Sequence, residues 1–189
     1  YCNSFVKIGI DKEFNYFGIR FLPGIFPSLF NIDASELSNH YERLNTVQPC
    51  IYNVIQQSKD RCLCLQDLCD ELNIYFIKHI NKIDKPFDNR FFCALETILK
   101  SKGSIIIEKD LNDGISSRHL QRLFNFYIGD TAKSFCRIVR FQNLLKIDPS
   151  VKLIKSEKSY YDFGYYDQNH FIKEFKLFYG KTPSKIAAE

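Results

Sequence analysis

The 189 residues contain no methionine and no tryptophan, and only eight glycines, six prolines and four histidines. Without Met, Tyr1 is expected not to be a translation start and the chain to be part of a longer one. No apolar run approaches the roughly 20 residues that span a bilayer, and no secretory leader pattern opens the chain, so no membrane partner is expected. Sites for chemistry are equally sparse. There is no glycine-rich phosphate loop, no nucleophile elbow and no His-Glu-x-x-His pattern, and His40, His79, His119 and His170 do not converge in sequence. His170 and Glu174 form an i, i+4 polar pair with no third ligand. Cys62, Cys64 and Cys69 do not have zinc-ligand spacing, and the seven cysteines are expected to be buried free thiols of a cytoplasmic protein. No enzyme, metal or cofactor is expected.

What is present is hydrophobic and aromatic. Hydrophobic residues make up 45%, with 18 Phe and 11 Tyr, enough for a sizeable core and too much for disorder. The net charge of +4 is unevenly placed. Residues 1–102 hold 12 Lys and Arg against 12 Asp and Glu, while residues 103–189 hold 14 against 10. A basic C-terminal half suits phosphate contacts, although ordinary solvated helix faces would give the same excess.

That half contains a degenerate repeat. With an offset of 51, Ser116–Phe124 lies over Asp167–Phe175, Tyr127 over Phe178, Gly129 over Gly180 and Thr131 over Thr182. Ser116 and Asp167 are predicted helix caps, and Gly129 and Gly180 predicted left-handed stops. Between them Leu120, Phe124 and Tyr127, and then Phe171, Phe175 and Phe178, recur at the spacing of one helix face. The opposite faces carry Arg118, Gln121, Arg122 and Asn125 in the first copy, and Asn169, Lys173 and Lys176 in the second. A capped helix entered through a tight turn is the helix-turn-helix arrangement, whose second helix fits the DNA major groove.

The strings Ser116–Phe124, Gly129, Arg140-Phe141-Gln142, Phe163–Ile172 and Glu174–Pro183 resemble the AraC/XylS transcriptional regulators over roughly residues 88–187. The resemblance implies an all-helical domain of two helix-turn-helix units on a long central helix, with both recognition helices entering successive major-groove segments. Two units roughly 34 Å apart would match one turn of duplex. Gly18–Gly24 and Leu29–Ile32 are similar to the end of a cupin-like regulatory domain in a subset of those regulators. The fold expected is mainly α: a double helix-turn-helix domain at 86–189, a helical linker at 33–85, and a small β remnant of an N-terminal domain at 1–32. Unit one spans 104–129, the central helix 131–146, and unit two 152–180.

Within the N-terminal part, Phe5–Ile8 and Tyr16–Leu22 are β-prone, with Pro23-Gly24 as a turn. Asp33 and Glu36 predict a capping box, and apolar spacing predicts helices over about 41–57, restarted near Pro49, and 61–81. Asp88 caps a further helix. Ser104–Asn112 is read as the first helix of unit one, against the strand-like Ile105-Ile106-Ile107, and about 152–163 as the scaffold helix of unit two. Where the family usually has a small residue at the helix crossing, this chain has Asp110 and Tyr160, and Tyr160 predicts overpacking of roughly 1–3 kcal/mol. The stretch between Lys146 and Lys155 is short of apolar anchors and is expected to be loose.

The candidate DNA contacts are Ser117, Arg118, Gln121, Arg122 and Asn125 in unit one, and Gln168, Asn169, Lys173 and Lys176 in unit two. Arg118 and Gln121 are the candidate base readers of the first helix. Gln168 and Asn169 suit adenine edges, and the lysines suit phosphate. Arg122 has an equal claim to a structural role, and His119 to a framework one. Arg137 and Arg140 could reach phosphates or bind a neighbouring carboxylate. The function expected is a sequence-specific regulator of transcription, read as an activator, that binds double-stranded DNA. A small-molecule effector would act through the N-terminal domain, and a homodimer is possible. The alternative is a helical protein-interaction module that has kept the fold and lost DNA binding.

Overall fold

A computed structural model describes residue 4 and residues 17–61, 64–83, 87–111, 114–147 and 159–186. Among the described residues every regular element is helical, which corrects the small β remnant expected at the N-terminus. Residues 17–22 are irregular, and Pro23-Gly24 turns into α1 (Ile25–Phe30). Phe21, one of the aromatic residues that made this stretch look β-prone, is used for ring packing instead, while Phe17 is 41% exposed. Phe21 sits edge-on to Phe26, Phe30 and Phe76, with centroids 5.1, 6.1 and 5.7 Å away. A short segment with no strand beside it among the described residues gains more from burying a ring than from an unpaired extended backbone. Phe5–Ile8 lies outside the described residues.

The described residues from 34 to 80 hold one 3-10 turn and three helices. Asp33 accepts from the Ser35 N–H at 2.8 Å and starts a 3-10 turn, Ala34–Leu37. After α2 (Leu44–Val47), Pro49 takes the first position of α3 (Pro49–Asp60), where its missing N–H has no intrahelical partner to lose. Cys64 and Asp67 cap α4 (Leu65–Ile80) reciprocally. Glu71 on α4 accepts from the buried Ser58 hydroxyl and from Arg61, each at 2.5 Å, and so ties α4 to α3. At its other end α4 meets α1, where His79 Nε2 lies 2.9 Å from the Leu29 carbonyl.

The rest is the repeat-bearing half. Asp88 caps α5 (Asn89–Lys100), accepting from the Arg90 N–H at 3.0 Å. The helix expected over 104–112 is reduced to α6 (Ile107–Asp110): the β-branched run stays out of the helix up to the extended Ile106, whose N–H donates to the Asp110 carboxylate at 2.8 Å. Then follow α7 (Ser117–Ile128), α8 (Ala132–Ile147), α9 (Ser159–Asp162), α10 (Gln168–Tyr179) and α11 (Pro183–Ile186). Residues 148–158 lie outside the described residues, so α9 alone represents the scaffold helix expected over 152–163, and the looseness expected after Lys146 falls largely outside them as well.

Two cores form on α8. Ala132, Phe135, Cys136 and Val139, at helical spacing, close one with Phe91, Leu95 and Ile98 of α5 and Leu120, Phe124 and Ile128 of α7. Phe141 and Leu144 face the other way and close a second with Tyr165, Phe171 and Phe175. The turn after α5 is pressed onto α8. Gly103 has φ +76°, and a Cβ there would strike the Cys136 carbonyl, so only glycine fits both the conformation and the space.

The thiols depart from expectation. Of the described cysteines only Cys136 is buried, while Cys50, Cys64 and Cys93 are exposed. Burial pushes the Cys136 thiol up to about 11. At pH 8 a thiol-specific chromogenic reagent should label Cys50, Cys64 and Cys93 in the folded chain and Cys136 only after denaturation. Gly103→Ala should lower stability by about 1–3 kcal/mol in urea unfolding, from the strained backbone and the contact with α8 together.

Candidate nucleic-acid interface

Each copy of the repeat builds the same object. The Ser116 hydroxyl accepts from the His119 N–H at 3.3 Å to open α7, and Gly129, left-handed at φ 83°, returns its N–H to the Phe124 and Asn125 carbonyls to close it. Asp167 accepts from the His170 N–H at 2.7 Å to open α10, and Gly180 returns its N–H to Lys176. The apolar faces are buried: Leu120, Leu123, Phe124 and Ile128 in α7, Phe171 and Phe175 in α10. Ser117, Arg118, Gln121, Arg122 and Asn125 are all exposed on α7, and Gln168, Asn169, Lys173 and Lys176 on α10. Arg122 makes no ion pair among the described residues. His119 is half-buried with its Nε2 enclosed and unpartnered, a framework position.

Arg137 and Arg140 are engaged inside the fold. Arg137 Nε donates to Glu174 Oε1 at 2.6 Å, and its guanidinium lies 5.7 Å from the Phe178 ring centre. Arg140 Nη2 donates to the Gly103 carbonyl at 3.1 Å, Nη1 lies 3.8 Å from Glu174 Oε2, and the group covers the Tyr165 ring. Of the two roles read from the sequence, the neighbouring carboxylate is the one the geometry forms. The Arg140 side chain is only 12% exposed, which withholds it from a phosphate on the surface. Glu174, 3% exposed, also receives His170 Nε2 at 3.2 Å. Burial, with the Glu174 charge adding to it, raises the Tyr165 phenol well above its ordinary pKa.

From the sequence Glu174 was read only as a polar partner of His170; its buried pairing with the α8 arginines was missed, and the repeat contained the signal. Glu174 occupies the position of Leu123, a core site in the first copy. On α8, Arg137 and Arg140 precede Phe141 and Leu144 by four, so the arginines begin the face that enters the second core. An acid at a core position of one helix and two bases on the facing helix specify an ion pair. Tyr166 was also passed over. It stands 84% exposed immediately before the Asp167 cap. Tyr160 does not overpack its crossing: half-buried at the rim of the second core, it lies parallel to Phe171 with centroids 6.4 Å apart. Asp110, at the matching place in the first copy, is exposed.

The N-terminal part reaches this surface. The Ala34–Leu37 turn packs against the C-terminal end of α7, close to Gly129. Asp33 stands at the rim of a concavity whose wall is Arg118, Arg122 and Asn125. The Asp33 carboxylate itself caps the Ser35 N–H, so the segment lies beside the arginine side of α7 without burying it.

Residues 113–189 match the family model described as a helix-turn-helix domain. The chain thus carries a helix-turn-helix domain in its C-terminal part, with α7 to α11 inside the matched residues. This domain type is not catalytic. No curated protein and no solved structure gives a match. Among the described residues no group of three or more His, Cys, Asp or Glu could hold a metal, and no helix is long and apolar enough to cross a membrane.

Removing one partner of a buried pair strands the other, at about 3–5 kcal/mol. Glu174→Ala should therefore lower unfolding stability by about that much. The combined change Arg137→Met, Arg140→Met, Glu174→Leu should restore most of it, because apolar replacements leave no charge unpaired. Urea unfolding of the two variants beside the parent chain checks both.

Proposed function

We propose that the chain is the DNA-binding part of a transcription regulator of the AraC/XylS kind, reading double-stranded DNA with α7 and α10 as two helix-turn-helix recognition helices. The single observation that supports this is the equivalence of the two helices. Each is capped by a Ser or Asp, stopped by a left-handed glycine, buried along one side and left exposed along a side of Arg, Gln, Asn and Lys. Such faces offer what major-groove reading needs: amides for adenine edges, arginine for guanine, and lysine for phosphate. Both helices pack on α8, so their separation is fixed by one rigid element.

In this reading Ser117, Arg118, Gln121 and Asn125 face the first groove segment, and Gln168 and Asn169 the second. Arg122, Lys173 and Lys176 neutralise phosphates. Arg137 and Arg140 hold α10 in place instead of touching DNA. Residues 33–85 link the domain to a preceding regulatory segment that senses a small molecule. Two such chains could pair on neighbouring sites, and the protein would act in the cytoplasm.

Selection from a pool of random duplexes at two salt concentrations tests the proposal. Enrichment of a defined sequence, with affinity falling steeply as salt rises, is expected. No enrichment and no salt dependence would refute it. Arg118→Ala and Gln121→Ala should each cost about 1–3 kcal/mol on the enriched site and relax preference at one position. Lys173→Ala and Lys176→Ala should weaken binding evenly across sequences and flatten the salt slope by about one unit each.

A second reading rests on the apolar side chains that α4 leaves in water, Ile74, Ile77 and Ile80, exposed by 53, 59 and 48%. It makes the chain a protein-interaction module that no longer reads DNA. Under it, Arg118→Ala and Lys173→Ala would leave DNA affinity unchanged.

A further inference from the structure

A cavity of 480 Å³ lies between two parts of the chain far apart in sequence. One wall is the segment 21–37, and the other is made by α5, α7 and α8. The lining is apolar and aromatic, with Phe21, Phe26, Phe135 and Ile138 among its side chains, and it includes no charged residue. Its only polar side chains are the Gln142 amide and the Tyr127 phenol, and the Tyr127 ring is stacked on Phe91 at 4.3 Å. Leu22 and Leu99, which also line it, remain 67 and 46% exposed. Apolar surface thus faces water inside a concavity whose volume falls in the range of small-molecule sites, roughly 300–1,000 Å³.

The chemistry of the walls selects the occupant. An ion entering here would lose its hydration with no opposite charge to receive it, whereas an uncharged apolar body would cover the exposed leucines and the aromatic rings. A single amide at one side suits one hydroxyl or carbonyl on the ligand. The cavity is separate from the exposed polar faces of α7 and α10, and no residue assigned to DNA contributes to it.

We propose that this cavity binds an uncharged, largely apolar small molecule, and that the bound molecule clamps the segment 21–37 onto α7 and α8. The same segment carries Asp33, which lines a concavity shared with Arg118, Arg122 and Asn125, so occupancy fixes that stretch of chain beside the exposed face of α7. Ligand binding in the cavity does not rest on the DNA-binding reading, and its test is made without DNA.

The probe is N-phenyl-1-naphthylamine, an uncharged fluorophore, titrated into the chain with emission followed on excitation of the dye. Saturable one-site binding is expected, with displacement by 1-decanol at least tenfold more effective than by decanoate at pH 8. Leu99→Trp at the exposed edge and Ile138→Trp deeper in the cavity should each weaken probe binding at least tenfold. Circular dichroism is used to confirm that each variant is folded, and Leu99→Trp decides if Ile138→Trp does not fold. Ile77→Ser, on the exposed face of α4, should leave binding unchanged. Hydrogen exchange across 21–37 should slow when the probe is bound. Non-saturable binding, parental affinity in folded Leu99→Trp, decanoate competing as well as decanol, or loss of binding in Ile77→Ser would overturn the site. Unchanged exchange across 21–37 would overturn the clamp. None of these outcomes bears on whether α7 and α10 read DNA.

Discussion

A carboxylate held out of water between two arginines is the constraint on which the C-terminal half depends. Taking Glu174 into the interior costs several kcal/mol, and only close cationic partners offset that. Arg137 supplies a direct hydrogen bond, and Arg140 supplies charge at slightly longer range while its second nitrogen holds the Gly103 carbonyl. One side chain on α8 therefore touches the turn that closes α5, the ring of Tyr165 and the carboxylate of α10. Apolar packing tolerates small rotations of a helix, because hydrophobic contact has little directional preference. A hydrogen-bonded ion pair does not. The angle of α10 on α8 is set by directional bonds, whereas α7 is seated by packing alone at the corresponding position, Leu123.

Most of the helical architecture was legible because the chain spells it locally. Caps at Ser116, Asp167 and Asp88, the stops at Gly129 and Gly180, and the restart at Pro49 each depend on one residue and its nearest neighbours. What failed depended on partners distant in sequence. Residues 17–22 have strand propensity, yet the Phe21 ring finds Phe26, Phe30 and Phe76, and the backbone follows that ring. Ile105–Ile107 split the difference: the strand-like run shortened α6 without forming a strand. The exposed thiols were misjudged because an apolar neighbour does not bury a cysteine: beside Cys50 and Cys93 the buried residues are Ile51 and Ala94, on the next bearing of the helix, and beside Cys64 even Leu65 is exposed.

The candidate surface was legible to the same extent and for the same reason. Every side chain assigned to the polar faces of α7 and α10 is on the outside, since helical period alone settles which way a residue points. The roles of Arg137 and Arg140 were not settled, because a period cannot say whether a cation will meet solvent or an acid on a facing helix. The arginines sit on an apolar face, which argues for an internal partner, and Glu174 in a core register completes the argument. Reading the two copies against each other position by position, and asking where their chemistry disagrees, would have found the pair.

Two cores sharing one helix have a further consequence. Val139 belongs to the first core and Phe141 to the second, so α8 changes allegiance within a single turn. Each residue of an α-helix advances about 1.5 Å and rotates about 100°. The relative bearing of α7 and α10 is thus encoded as a residue count along α8, like teeth on a shaft. An insertion or deletion there could not lengthen the gap without also swinging one helix out of line with the other. Chains built on this plan can vary the faces of the two helices freely, but their mutual pitch is locked.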